Sequence, residues 1–245
     1  MNKKEKLKNV YEDTVSLTDN YVRNSITDKH TFDNSIYKHI IYYPSIIIEN
    51  SDTVSSASKW SKDGKTCVLN MASAKNPGGG VRNGAMAQEE CLFRCSNLWE
   101  TVDSKFYPLK ENEALYTKDA VFFKDRYYGI MDPITVDVVT VAAINLTKKD
   151  DGKVNKGKDY IDITKNKIRL MLSLAEQNGV DNIILGAWGC GVFNNDPSDM
   201  ATMFKEVLDD ENYATRFKNV IFAIINDHNS VGNNYEIFKK ILRWN

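Results

Sequence analysis

The residues best suited to chemistry in this chain are two adjacent glutamates, Glu89 and Glu90, near the start of a predicted helix. Neighbouring helical side chains point about 100° apart, so one carboxylate could face a bound ligand while the other reaches a different part of it. A carboxyl group so placed can act as a general acid or base. A simpler alternative is that both stabilise the helix dipole, which is worth under about 1 kcal/mol.

Two glycine-rich loops are the second candidate feature. Gly78, Gly79 and Gly80 follow a buried strand predicted at 66–71, and Gly189-Cys190-Gly191 follows another at 183–185. Ligands of open α/β sheets bind at the carboxyl ends of strands, where glycine admits close backbone approach and free N–H groups favour an anion. Two facing loops would hold a diphosphate without Lys or Arg. Alternatively, the first loop is a flexible turn, and the second loop is one half of a dinucleotide-binding fingerprint, although Asn194 stands where the third glycine of that fingerprint belongs.

Composition sets the limits on partners and location. The chain has 245 residues, 32 Lys plus Arg and 33 Asp plus Glu, so no overall field attracts nucleic acid and we expect no sequence-specific nucleic-acid binding. The four cysteines form no CxxC pair and have no zinc spacing with the three histidines, so we predict no metal, no cofactor and a reducing compartment. The Lys-rich N-terminus lacks an apolar signal core, and no apolar run approaches a membrane span of about 20 residues. We therefore expect a cytoplasmic protein with no membrane partner.

The periodicity of apolar residues predicts alternating strands and helices. A leading helix occupies part of the first 30 residues, and the stretch 51–64 is polar and predicted to form turns. Predicted strands are 40–49, 66–71, 121–124, 135–143, 183–185 and 220–225; predicted helices are 85–100, 156–178, 198–208 and 235–242. Pro44 indicates either a bend in the first of these strands or an edge position for it. This order predicts an α/β fold with a largely parallel sheet and helices on both faces. We expect one domain over residues 1–245, with 1–60 as an N-terminal helical or edge extension.

Two segments together resemble a known family. NPGGGVRNGAMAQEE (76–90) resembles the signature of poly(ADP-ribose) glycohydrolases, a triple glycine followed after a short spacer by QEE. LGAWGCGVFNNDP (185–197) is similar to the second phosphate loop of the microbial branch of this family. The resemblance covers roughly 66–227. It implies a macrodomain-like three-layer α/β/α sandwich with a mixed, largely parallel central sheet, and metal-independent hydrolysis of ribose–ribose O-glycosidic bonds in poly(ADP-ribose) on modified proteins, releasing ADP-ribose.

The resemblance also assigns roles to individual residues. It implies that Glu90 is the catalytic acid/base and that Glu89 coordinates a ribose. It implies that the first glycine loop closes over the scissile ribose and that Phe193 packs beside the terminal ribose, where core packing is the alternative. The remaining substrate-binding residues that it implies are Asn76, Gln88, Gly189, Cys190, Gly191, Val192 and, at the adenine end, Asn145. Arg82 in the spacer either contacts polymer phosphate or is simply solvated.

Three other functions fit parts of the sequence. A binding module that reads ADP-ribose would need the loops but no carboxylate at the anomeric carbon, so the QEE triplet disfavours it. A hydrolase of mono-ADP-ribose would share the whole pocket, and the sequence leaves polymer or monomer preference open. An NAD-dependent dehydrogenase fits the strand and helix order but lacks the third glycine of the fingerprint.

Overall fold

A computed structural model describes residues 1–21, 25–31, 41–147, 158–226, 230 and 232–243. Within them, seven strands form one sheet: β1 (Ile26–Thr31), β2 (Ser45–Glu49), β3 (Thr66–Met71), β4 (Glu113–Lys124), β5 (Ile130–Val141), β6 (Asn182–Leu185) and β7 (Asn219–Ala223). The helices are α1 (Lys3–Thr18), α2 (Thr53–Trp60), α3 (Gln88–Cys95), α4 (Leu98–Thr101), α5 (Lys158–Gln177), α6 (Pro197–Lys205) and α7 (Asn234–Ile241).

The sheet is mixed and mostly parallel, as predicted. Its order is β1-β4-β5-β3-β6-β7-β2, and the five strands from β5 to β2 are parallel. The antiparallel part comes from the β4–β5 hairpin and from β1, which pairs with β4. β2 begins directly after Pro44 and forms the outer edge, as expected for a strand next to a residue that cannot donate to a neighbour.

Helices cover both faces of the sheet and give the predicted three layers. In β3, Cys67 and Leu69 point into one hydrophobic cluster, which includes buried residues of α5, α6 and α7. Val68, between them, points into the other cluster, which α1, α2 and α3 complete. Because successive side chains of a strand alternate in direction, one short apolar strand serves both cores.

Two predictions about local structure are wrong. The stretch 51–64 contains α2, because the Asp52 side chain accepts from the N–H groups of Val54 and Ser55 and because Val54 and Ala57 are buried. The predicted helix 85–100 is two helices, α3 and α4, since Ser96 leaves the helical path to pair with Phe122 of β4. The first residues of the predicted strand 40–49 and helix 156–178 lie outside the described residues.

Candidate active site

A cleft of about 1120 Å³ opens at the carboxyl ends of the parallel strands. Its walls include Met71 to Ser73 at the end of β3, Ala187 to Gly189 after β6 and Ala223 to Ile225 at the end of β7. The first turn of α3, with Glu89 and Glu90, forms another wall. This is the position at which open α/β sheets bind their ligands.

The side chain of Gln88 fixes where α3 begins. Its Oε1 accepts from the N–H of Met71 at 2.9 Å, and its Nε2 donates to the carbonyl oxygen of Leu69 at 2.7 Å and to Thr53 Oγ1 at 3.1 Å. These bonds tie the start of α3 to the end of β3 and to the first residue of α2. Gln88 lines the cleft, as a substrate-binding residue would, but both polar atoms of its amide are used by the protein itself.

Glu89 is held by three donors. The carboxylate is 2% exposed and accepts from the N–H of Ser73 at 2.7 Å, from the N–H of Gly78 at 3.2 Å and from Asn70 Nδ2 at 3.4 Å. Burial raises the pKa of Glu89 to about 8; the charge of Glu90 also raises it, whereas the three donors lower it. At pH 7 Glu89 is therefore mostly protonated.

Glu90 joins the first glycine loop to α3. It is 7% exposed; its Oε1 accepts from the N–H of Gly80 at 2.9 Å and its Oε2 from the N–H of Ala87 at 2.7 Å. Ala87 precedes the helix, so the second bond also satisfies one free N–H group at its start.

Gly79 lies where the two carboxyl groups converge. Its φ is +55°, and an added Cβ would lie 2.6 Å from Glu90 Oε1 and 2.9 Å from Glu89 Oε2. Both the backbone conformation and the close approach therefore require glycine. Gly78 has a φ of +69°, and the ring of Phe93 packs against it.

The second glycine loop is organised by Asn195, which sequence analysis missed. Its buried side chain donates from Nδ2 to the carbonyl oxygens of Ile144 (2.8 Å) and Gly189 (3.0 Å), while its Oδ1 accepts from the Tyr160 hydroxyl at 2.7 Å. Asn194 has a φ of +57°, a left-handed conformation that Asn tolerates, so a loop with this shape does not need the third glycine. In the sequence, Asn195 was only one more polar loop residue.

Most of the predicted site residues meet in the cleft. Besides Gln88 and the two glutamates, it is lined by Asn76, Gly79, Gly80, Gly189, Gly191, Val192 and Phe193. Three predicted residues do not line it. Gly78 contributes only its N–H to Glu89, and the buried Cys190 thiol turns to the carbonyl oxygen of Trp188. Asn145 instead closes a turn, because its Oδ1 accepts from the backbone N–H and the hydroxyl of Thr147.

The described residues offer neither a metal-binding cluster nor a membrane-spanning helix. Among these residues there is no group of three or more His, Cys, Asp or Glu side chains that could hold a metal ion. No helix in the same part of the chain is both long enough and apolar enough to cross a lipid bilayer.

Comparison with solved structures shows the same fold in two bacterial enzymes. The poly(ADP-ribose) glycohydrolase of Thermomonospora curvata is 23% identical and superposes with a TM-score of 0.82, over 97% of this chain and all of the other. That of Deinococcus radiodurans, in complex with ADP-ribose, is 25% identical over 98% of this chain and 91% of the other, with a TM-score of 0.74. No curated protein matches the chain.

A family model decides the assignment. The model of the microbial-type PARG catalytic domain matches residues 1–125, just over half of the 245 residues. The matched part contains the first glycine loop and both glutamates, whereas the second loop lies beyond it. This protein therefore belongs to the microbial-type poly(ADP-ribose) glycohydrolases (PARG), a family of glycoside hydrolases.

Proposed function

We propose that the chain hydrolyses ribose–ribose O-glycosidic bonds of poly(ADP-ribose) on modified proteins and releases ADP-ribose, with Glu90 as general acid and base. The observation that carries this proposal is the convergence of Glu89 and Glu90 below Gly79, in a cleft that the second glycine loop also lines. A module that only reads ADP-ribose would have no need of two buried carboxyl groups at this place.

The ligand would lie along the cleft. Backbone N–H groups of Gly189, Gly191 and Val192 would hold the diphosphate, and Phe193 would cover the terminal ribose. The cleft, at about 1120 Å³, is large enough for ADP-ribose, since pockets of 300–1,000 Å³ commonly enclose ligands of this size. The Deinococcus glycohydrolase, which has the same fold, has been solved with ADP-ribose bound, and this supports the choice of ligand.

Glu90 would act twice in the reaction. It first protonates the ribose oxygen that leaves while the bond to the anomeric carbon breaks through an oxocarbenium-like transition state. The resulting carboxylate then takes a proton from the water that attacks the anomeric carbon. Protonated Glu89 would offer a ribose hydroxyl both a donor and an acceptor.

Domain organisation and location are part of the same proposal. One sheet with strands from Ile26 to Ala223 supports a single macrodomain-like domain over residues 1–245. Four free thiols, at Cys67, Cys91, Cys95 and Cys190, support a reducing, cytoplasmic location.

The test is to incubate the protein with an automodified poly(ADP-ribose) polymerase and to identify the products by chromatography. We expect monomeric ADP-ribose from the first time point, because Phe193 would restrict the cleft to chain ends, and we expect the activity to persist in EDTA. A parallel reaction with a protein carrying single ADP-ribose units tests monomer preference. Binding of ADP-ribose without any product would favour a reader, and early release of long free oligomers would refute the role of Phe193.

A further inference from the structure

A second, smaller pocket of about 360 Å³ adjoins the first glycine loop. Asn76, Gly79 and Asn83 line both this pocket and the cleft, so the segment 76–83 separates the two. The other lining residues are Tyr11 of α1, Pro77 before the triple glycine, Arg82 of the spacer, Phe93 of α3 and Trp99 of α4.

The pocket combines aromatic side chains, among them Trp99, with the guanidinium group of Arg82. The Trp99 ring is fixed in place, since its indole N–H donates to Thr18 Oγ1 at 2.9 Å. Exposed Arg82 lies beside Tyr11, where its positive charge partly offsets the rise that burial causes in the pKa of the Tyr11 hydroxyl. Within the described ranges Arg82 takes part in no ion pair. Aromatic rings stack on nucleic-acid bases, and a guanidinium pairs with phosphate oxygens. This chemistry matches a nucleoside diphosphate.

We infer that this pocket receives the ADP-ribose unit on the leaving side of the bond that is cleaved. The inference rests on the proposed function. Glu90 lies against Gly79, so a polymer chain that leaves the cleft past Asn76 and Gly79 enters the second pocket directly. Arg82 then contacts the diphosphate of that unit, and the partly exposed ring of Trp99 stacks on its base. On this view α1 is part of the polymer-binding surface.

The pocket should affect only substrates whose leaving group can reach it. We therefore compare poly(ADP-ribose) with ADP-ribose that carries a 4-nitrophenyl group on its 1″ oxygen, which has the same cleft-bound part but a small leaving group. For Arg82→Gln we expect kcat/KM on the polymer to fall about tenfold, as for loss of a charged hydrogen bond, and to change less than about twofold on the nitrophenyl substrate. Tyr11→Phe, which removes the hydroxyl beside Arg82, should give a smaller loss of the same kind.

Arg243→Gln is the matched control, because Arg243 is an exposed arginine two residues after the end of α7, in the opposite layer of the fold. It should leave both substrates unaffected. An equal loss on both substrates in Arg82→Gln would overturn the inference and show that Arg82 acts on the glycine loop. Unchanged polymer hydrolysis, or a loss confined to protein-linked single ADP-ribose units, would also overturn it. Failure of the wild-type protein on both substrates would instead refute the proposed function.

Discussion

Replacing Glu90 by Gln tests the proposed mechanism most directly. The carboxylate accepts one N–H group on each oxygen, from Gly80 and from Ala87. Gln has a single oxygen, so one of these two bonds is lost, at a cost of about 1 kcal/mol. For a domain of this size that lowers Tm by about 2–4 °C, and the protein should stay folded.

The effect on rate should be much larger than the effect on stability. Gln cannot donate and retake a proton, and general acid–base catalysis contributes about 10²–10⁴-fold, which corresponds to about 3–5 kcal/mol of the barrier. ADP-ribose affinity should change little, because the loop 189–192 is untouched. Turnover on poly(ADP-ribose), measured by chromatography, and affinity, measured by calorimetry, separate the two effects.

Glu89→Gln is the comparison variant. If Glu89 only orients the ribose, this variant should lose less rate and more affinity than Glu90→Gln. Near wild-type turnover in Glu90→Gln would refute the assignment, and Glu89 would be the next candidate acid. A loss of affinity as large as the loss of rate would show that the substitution disturbs the glycine loop rather than proton transfer.

Two further predictions concern stability and binding. Folding raises the pKa of Glu89 from 4.5 to about 8, so between these pH values the folded state binds more protons than the unfolded state. The contribution of Glu89 protonation to the free energy of unfolding is therefore fully present below pH 4.5 and is lost as the pH rises to about 8. Urea unfolding across this range should show a decline that Glu89→Gln reduces; an equal decline in both proteins would contradict it. Gly191→Val should weaken ADP-ribose binding severely without unfolding the chain, and Gly79→Val should do the same while also displacing both carboxyl groups. Unchanged affinity by calorimetry in both glycine variants would refute the placement of the diphosphate.

Features that depend on neighbouring residues along the chain were readable from the sequence. The strand 66–71 coincides with β3 because six mostly apolar residues are bounded by a polar turn and a glycine loop. The start of α6 follows from Pro197 at its first turn, with Asp196 accepting from the N–H groups of Ser198 and Asp199. The two glycine loops and the glutamate pair were identified in the same way, since backbone freedom and helix position are local properties.

Contacts between distant segments were decided only by the tertiary structure. Asn195 stabilises the second loop by donating hydrogen bonds to carbonyl oxygens 6 and 51 residues away in the sequence. Asn145 instead stabilises a local turn. The pocket beside the glycine loop requires α1 and α4 to pack together, and the helix break at Ser96 requires a partner in β4. The elevated pKa of Glu89 likewise comes from burial. Burial depends on which remote surfaces cover a side chain, and a single sequence carries no record of those surfaces.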